Sequence, residues 1–153
     1  MEAIAKNEFS DVKPGDITSD ADKLGDSVTK ADSDLSSLKS GISSPSIWTA
    51  SAKANLTDAF DRLGQVKGEI ESALGKAKSV ATAVKDYQDY YENTLTPAYK
   101  AWETAVGNHD AWEKANPSTR GTEPDVAGPE NAYKACVSIL SDKKDAVTSA
   151  LGS

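Results

Sequence analysis

The chain has 153 residues, enough for one modest domain or a domain with an appendage, and no internal repeat asks for more. With 24 Asp plus Glu against 17 Lys plus Arg it is acidic and has no basic cluster, which discounts nucleic acid and anionic membrane surfaces as partners. A single Cys, Cys136, and a single His, His109, rule out an intrachain disulfide and a cysteine zinc site.

Residues 1–16 show little periodicity and end at Pro14-Gly15, so they read as a flexible N-terminal arm whose Phe9 and Val12 pack only under a cover. The start, Met1 to Glu8, lacks the basic residues and apolar run of a Sec signal peptide. No stretch approaches the ~18 uninterrupted apolar residues of a membrane span. The expectation is synthesis in the cytosol, no membrane insertion, and any export by a route other than Sec.

From Ile17 the apolar residues Ala21, Leu24, Val28, Ala31, Leu35, Leu38 and Ile42 recur at alternating steps of four and three, a heptad seam that predicts a helix. It should start at Thr18 or Ser19, where a hydroxyl caps free N–H groups and Asp20 and Asp22 face the positive end of the dipole, and end by Gly41. Ser44-Pro45-Ser46 interrupts the helix and suits a restart, with Ser44 as N-cap and Pro45 in the first turn. A second helix follows, with one seven-residue series in Leu56, Leu63, Ile70, Ala77, Val84 and Tyr91 and an interleaved one in Ala52, Ala59, Val66, Ala73, Val80 and Tyr87. It runs to about Thr94, ~45 residues or ~65 Å.

Residues 17–95 therefore predict an antiparallel helical hairpin with Trp48 at its tip. Folding about residue 45 places Leu24 beside Val66 and Ile17 beside Ala73, leaving residues 75–95 in need of other cover. Residues 96–115 read as a third helix, with Thr96 as N-cap and Pro97 in its first turn. If the chain turns at Thr96, Trp102 falls near Tyr90 and Trp112 near Val80; if it does not, Pro97 kinks one long helix and the aromatics are left for a partner. Residues 116–129 form a Pro/Gly-rich linker, and residues 130–153 a C-terminal helix with Tyr133, Cys136, Val137, Leu140, Val147 and Leu151 on one face. The fold class is all-α: a hairpin with Trp at the turn, extended by two C-terminal helices into a bundle.

No nucleophile, paired acids, metal-ligand cluster or phosphate loop is recognisable, so no catalytic, cofactor or metal residue is assigned, and no small-molecule substrate is evident. His109-Asp110 reads as a surface pair, and Asp20, Asp22, Asp26, Asp32 and Asp34 as a solvated acidic face without the glycine turn of a calcium loop. Tyr87, Tyr91, Trp102 and Trp112 read as core or interface aromatics, since their spacing is helical and the Ala-rich seams need bulk. Trp48, with Thr49 and Ala50, is either a staple across the turn or a partner-recognition element, and Tyr99 with Glu103 is either a solvent-facing pair or a recognition signal.

A helix-turn-helix with Trp48-Thr49-Ala50 at the turn resembles the WXG family of small proteins exported by type VII secretion systems, with Ala50 where that family has glycine. Tyr99-Lys100-Ala101-Trp102-Glu103 is similar to the Tyr-x-x-x-Asp/Glu export signal that follows the hairpin in that family. The resemblance covers residues 17 to about 103. It implies a secreted, non-enzymatic protein that acts as a type VII substrate or as the helical partner of a larger effector, through homodimers or heterodimers forming a four-helix bundle. The alternative from the residues alone is a cytosolic helical-bundle scaffold or phage-type assembly protein.

Overall fold

The computed structural model describes residues 1–43 and 49–152, and every regular element among them is helical. In chain order these are α1 (Pro14–Ser43), α2 (Ala50–Tyr90), a π-helical turn (Tyr91–Leu95), α3 (Thr96–Lys114) and α4 (Ala127–Gly152). Among the described residues no helix is long and apolar enough to cross a membrane.

α1 begins four residues earlier than a Thr18 start, because Pro14 opens it. Proline at the first helical position gives up an N–H that has no partner there anyway, and the Lys13 carbonyl accepts from Asp16 N–H and Ile17 N–H at 3.1 and 3.3 Å. Thr18 is already interior, its hydroxyl donating back to Pro14 O at 3.1 Å. Gly41 does not stop α1, which reaches Ser43. Ser44, Pro45 and Trp48 lie outside the described residues. Thr49, not Ser44, caps α2: its Oγ1 accepts from Ala52 N–H at 3.2 Å.

Two compact units divide the chain: Lys13–Ala81, and Met1–Val12 together with Thr82–Ser153. In the Lys13–Ala81 unit α1 and the start of α2 run antiparallel, with Asp32 to Lys67 at 2.9 Å and Asp22 to Lys78 at 2.6 Å. A Cβ on Gly25 would lie 3.8 Å from Leu74 Cδ1, which sets Leu24 level with the Leu74 turn and not beside Val66. Likewise Asp22 is level with Lys78, so Ile17 lies beyond it and not beside Ala73. The register differs because α1 ends later and α2 starts later than Gly41 and Ser44 would have them. Asp20, Asp22, Asp26 and Asp34 on α1 are exposed, and Asp22 and Asp32 also reach lysines of α2.

The other unit holds the core. Val84, Tyr87, Leu95, Trp102, Tyr133, Leu140 and Val147 are all buried, Leu95 completely. The chain does not turn at Thr96: Leu95 and Thr96 both have α-helical dihedrals, and α2, the π turn and α3 follow without a break. Pro97 can neither donate to a carbonyl four residues back nor let that carbonyl approach its ring. The helix accommodates it by widening, with both Thr96 N–H and Thr96 Oγ1 directed to Tyr91 O, the latter at 2.9 Å. Cover for the aromatics comes instead from α4, whose Tyr133, Leu140 and Val147 recur every seventh residue toward α3 and the π turn.

Residues 1–12 are the other cover, and they are held in place by side chains reaching for their backbone. Tyr99 Oη donates to Glu2 O at 3.2 Å and Tyr91 Oη to Ala5 O at 2.8 Å, while Ala5 N–H donates to Tyr133 Oη at 2.8 Å. Gln88 Nε2 spans Phe9 O and Val12 O at 2.7 and 2.8 Å. Phe9 packs edge-on against Tyr87, ring centroids 4.9 Å apart, and Glu8 pairs with Lys144 at 2.8 Å.

Candidate interaction surfaces

The two units treat their apolar side chains differently. In the Lys13–Ala81 unit only Ala21 and Ala81 are buried among the described residues, and Leu24, Leu38, Leu63 and Val66 are 50%, 56%, 44% and 49% exposed. A two-helix unit has one neighbour per helix, so half of each seven-residue seam turns inward and half faces water. On α1, Ile17, Ala21, Val28 and Leu35 are at least half-buried while Leu24, Ala31 and Leu38 are exposed. Between the helices lies an open groove of about 290 Å³ lined by Val28, Leu35, Phe60, Leu63, Val66 and Ile70, with the Asp32–Lys67 pair at its edge. The carboxylate of Asp32 holds the Lys67 ammonium above its ordinary pKa. A Cβ on Gly64, in the same groove, would meet nothing within 4 Å.

The sequence-assigned residues fall as follows. Trp48 lies outside the described residues; Thr49 is the cap described above, and Ala50 is exposed in the first turn of α2. Tyr99 and Glu103 sit one turn apart on α3, but they are not an equivalent pair. Glu103 is exposed, whereas Tyr99 is half-buried, bonded to Glu2 O and packed edge-on against Trp102 and Tyr133 at 6.2 and 5.3 Å.

Tyr87 is buried with its hydroxyl donating to Lys6 O at 3.3 Å, and Tyr91 is half-buried under the arm. Trp102 stacks on Tyr133, centroids 5.4 Å apart and planes 23° from parallel, and its Nε1 has no acceptor among the described residues. Trp112 donates from Nε1 to Gly121 O at 2.7 Å, and the Arg120 guanidinium lies 4.6 Å over its ring. Thus Tyr87, Tyr91, Tyr99 and Trp102 share the arm-covered core, and Trp112 instead straps the connection after α3 onto that helix. Sequence reasoning missed Tyr133 and Gln88 as arm holders; their side-chain chemistry gave no sign of which distant backbone they would meet.

Titration behaviour follows burial. Tyr90 is pushed up to about 12, chiefly by burial and then by Cys136 beside it, and Tyr91 is raised by burial with Tyr87 and Tyr133 nearby. His109 is also more engaged than a surface pair with Asp110 would be: its Nε2 lies 3.1 Å from Glu123 Oε1, and its ring stands 5.8 Å from Trp112. His109, Asp110 and Glu113 bring potential ligand atoms within 4.8 Å of one another.

Comparisons with protein-family models, with curated proteins and with solved structures gave no match.

Proposed function

We propose that the protein acts without catalysis, by helix-face association, and that the face it uses is the exposed seam of the Lys13–Ala81 unit. The observation that carries this is the contrast in burial: one unit completes a core from its own arm and α4, while the other leaves Leu24, Leu38, Leu63 and Val66 about half in water along an apolar groove. A second helical hairpin would supply the missing layer and make a four-helix bundle. The favoured occupant is a second copy. The chain's acid excess lies mostly outside this unit, and within it α1 is acidic while the Ala50–Ala81 part of α2 is slightly basic, so α1 of one copy meets α2 of another without net repulsion. Sedimentation equilibrium of the whole chain tests it: a concentration-dependent dimer is expected, and a monomer at all concentrations removes the reading.

The same reading includes the type VII secretion role implied by the resemblance of Trp48-Thr49-Ala50 and of Tyr99 with Glu103 to the WXG family, as a secreted substrate or the partner of a larger effector. Because Tyr99 also anchors Glu2, its recognition by an export machine would require the arm to yield there. Export of Trp48→Ala, Tyr99→Ala, Tyr99→Phe and Glu103→Gln variants from a competent host tests this. Loss on Tyr99→Ala and Glu103→Gln with the fold intact is expected; unchanged export of all four leaves an association scaffold with no export signal.

A further inference from the structure

We propose that His109, Asp110 and Glu113 of α3 form a binding site for a divalent transition ion of the zinc type. Residues four apart on a helix leave from one face, so the imidazole of His109 and the carboxylate of Glu113 project side by side with Asp110 adjoining, and their ligand atoms lie within 4.8 Å of one another. Ligands at ~2.0–2.2 Å from one ion stand ~3–4 Å apart. Closing the set therefore takes a movement of about 1 Å, within reach of ordinary rotamer adjustment at exposed side chains.

A second observation comes from a different segment. Glu123, in the connection between α3 and α4, places Oε1 3.1 Å from His109 Nε2. A carboxylate on one ring nitrogen is how metal-binding imidazoles are commonly fixed: it orients the ring and leaves the other nitrogen to present its lone pair. Here Glu123 engages Nε2, which leaves Nδ1 to serve as the ligand. The charge around the site agrees. Asp110 and Glu113 on α3 and Glu123 and Asp125 in the connection after it outnumber the nearby basic residues Lys114 and Arg120, the latter engaged over Trp112.

One nitrogen and two carboxylates favour a borderline ion over calcium or magnesium, which take oxygen alone. Three protein ligands leave a position for water. With Glu123 as the outer partner, the bound ion would pin the connection between the two helices to α3.

The full-length protein carries its own reporter, because the Trp112 ring is 5.8 Å from His109. Zinc chloride is titrated by calorimetry, and cobalt(II) by quenching of tryptophan fluorescence. The expected result is one equivalent bound, with cobalt quenching lost in Trp112→Phe while zinc binding persists. Affinity should fall at least tenfold in His109→Ala and in Glu113→Gln, and about tenfold in Glu123→Gln. Circular dichroism confirms that each variant is folded, and Glu113 is exposed, so its substitution leaves packing untouched. Equal zinc affinity in folded His109→Ala or Glu113→Gln, no binding by the wild type at millimolar zinc, or displacement by equimolar calcium overturns the proposal.

Discussion

Replacing Leu63 and Val66 together by serine gives the most direct reading of the open seam. Fully burying a Leu or Val side chain gains ~1.5–3 kcal/mol. With Leu63 44% and Val66 49% exposed, the part still facing water is worth about 1 kcal/mol for each. A symmetric pair that covers Leu24, Leu38, Leu63 and Val66 on both copies therefore has about 8 kcal/mol of unspent burial to set against the cost of association. The double substitution removes half of it, about 4 kcal/mol, which is close to a thousandfold in Kd. Sedimentation equilibrium of both proteins gives the two constants, and near-ultraviolet circular dichroism shows whether the aromatic core of the other unit is intact. After an association cost of at least ~4 kcal/mol the net is about 4 kcal/mol, a Kd of about 1 mM. The reasoning therefore fails if the double variant associates as tightly as the wild type or if the wild type shows no association at ~1 mM.

Three further outcomes follow from contacts in the other unit. Tyr91→Phe deletes the hydroxyl that donates to Ala5 O and should cost about 1 kcal/mol, with faster proteolysis inside residues 1–12 as the measurement. Tyr90 should resist ionisation in an alkaline ultraviolet titration until about pH 12. Because its folded pKa lies above the ordinary value of 10.0, the folded form keeps a proton that the unfolded form has lost, so stability is full below about pH 10 and falls between there and about pH 12; Tyr90→Phe should flatten that fall in a pH series of urea melts. Gly128 donates its N–H to Asp125 Oδ1 at 3.0 Å, and a Cβ there would lie 2.5 Å from Asp125 Oδ2. Gly128→Ala should therefore push the capping carboxylate away from the start of α4 and cost about 1 kcal/mol by thermal melting.

The seven-residue spacing along the chain was enough to read the helical class, because apolar periodicity is a local property; it did not give the ends of α2, which starts at Ala50 and runs on through the π turn into α3. It was also enough to place Tyr133, Leu140 and Val147 on one face of α4. What it could not resolve were choices between two valid uses of the same residue. Pro14-Gly15 reads equally as a stop or as the opening of a helix, and only the Lys13 carbonyl shows which. Thr96-Pro97 reads as a fresh start, yet one widened turn lets the helix run through.

The surfaces were legible in part. Trp102 and Tyr87 belong to a core, as their spacing implies, but Tyr99 joined them because its hydroxyl reaches a backbone 97 residues away. No periodicity encodes that. His109 and Asp110 read as a surface pair, and neither Glu113 one turn on nor the carboxylate of Glu123, which arrives from beyond a proline and a glycine, was joined to them until coordinates brought them in.

The seating of the first dozen residues sets an order of events in folding. Ala5 meets a hydroxyl 128 positions downstream, and Glu8 an ammonium 136 positions downstream. Closing loops of that length slows formation far more than it weakens the finished product. Gln88, Tyr91 and Tyr99 can take up the arm before Tyr133 and Lys144 complete its seat. Until the arm docks, the hydroxyls of Tyr91 and Tyr99 lack the carbonyls they hold in the finished fold.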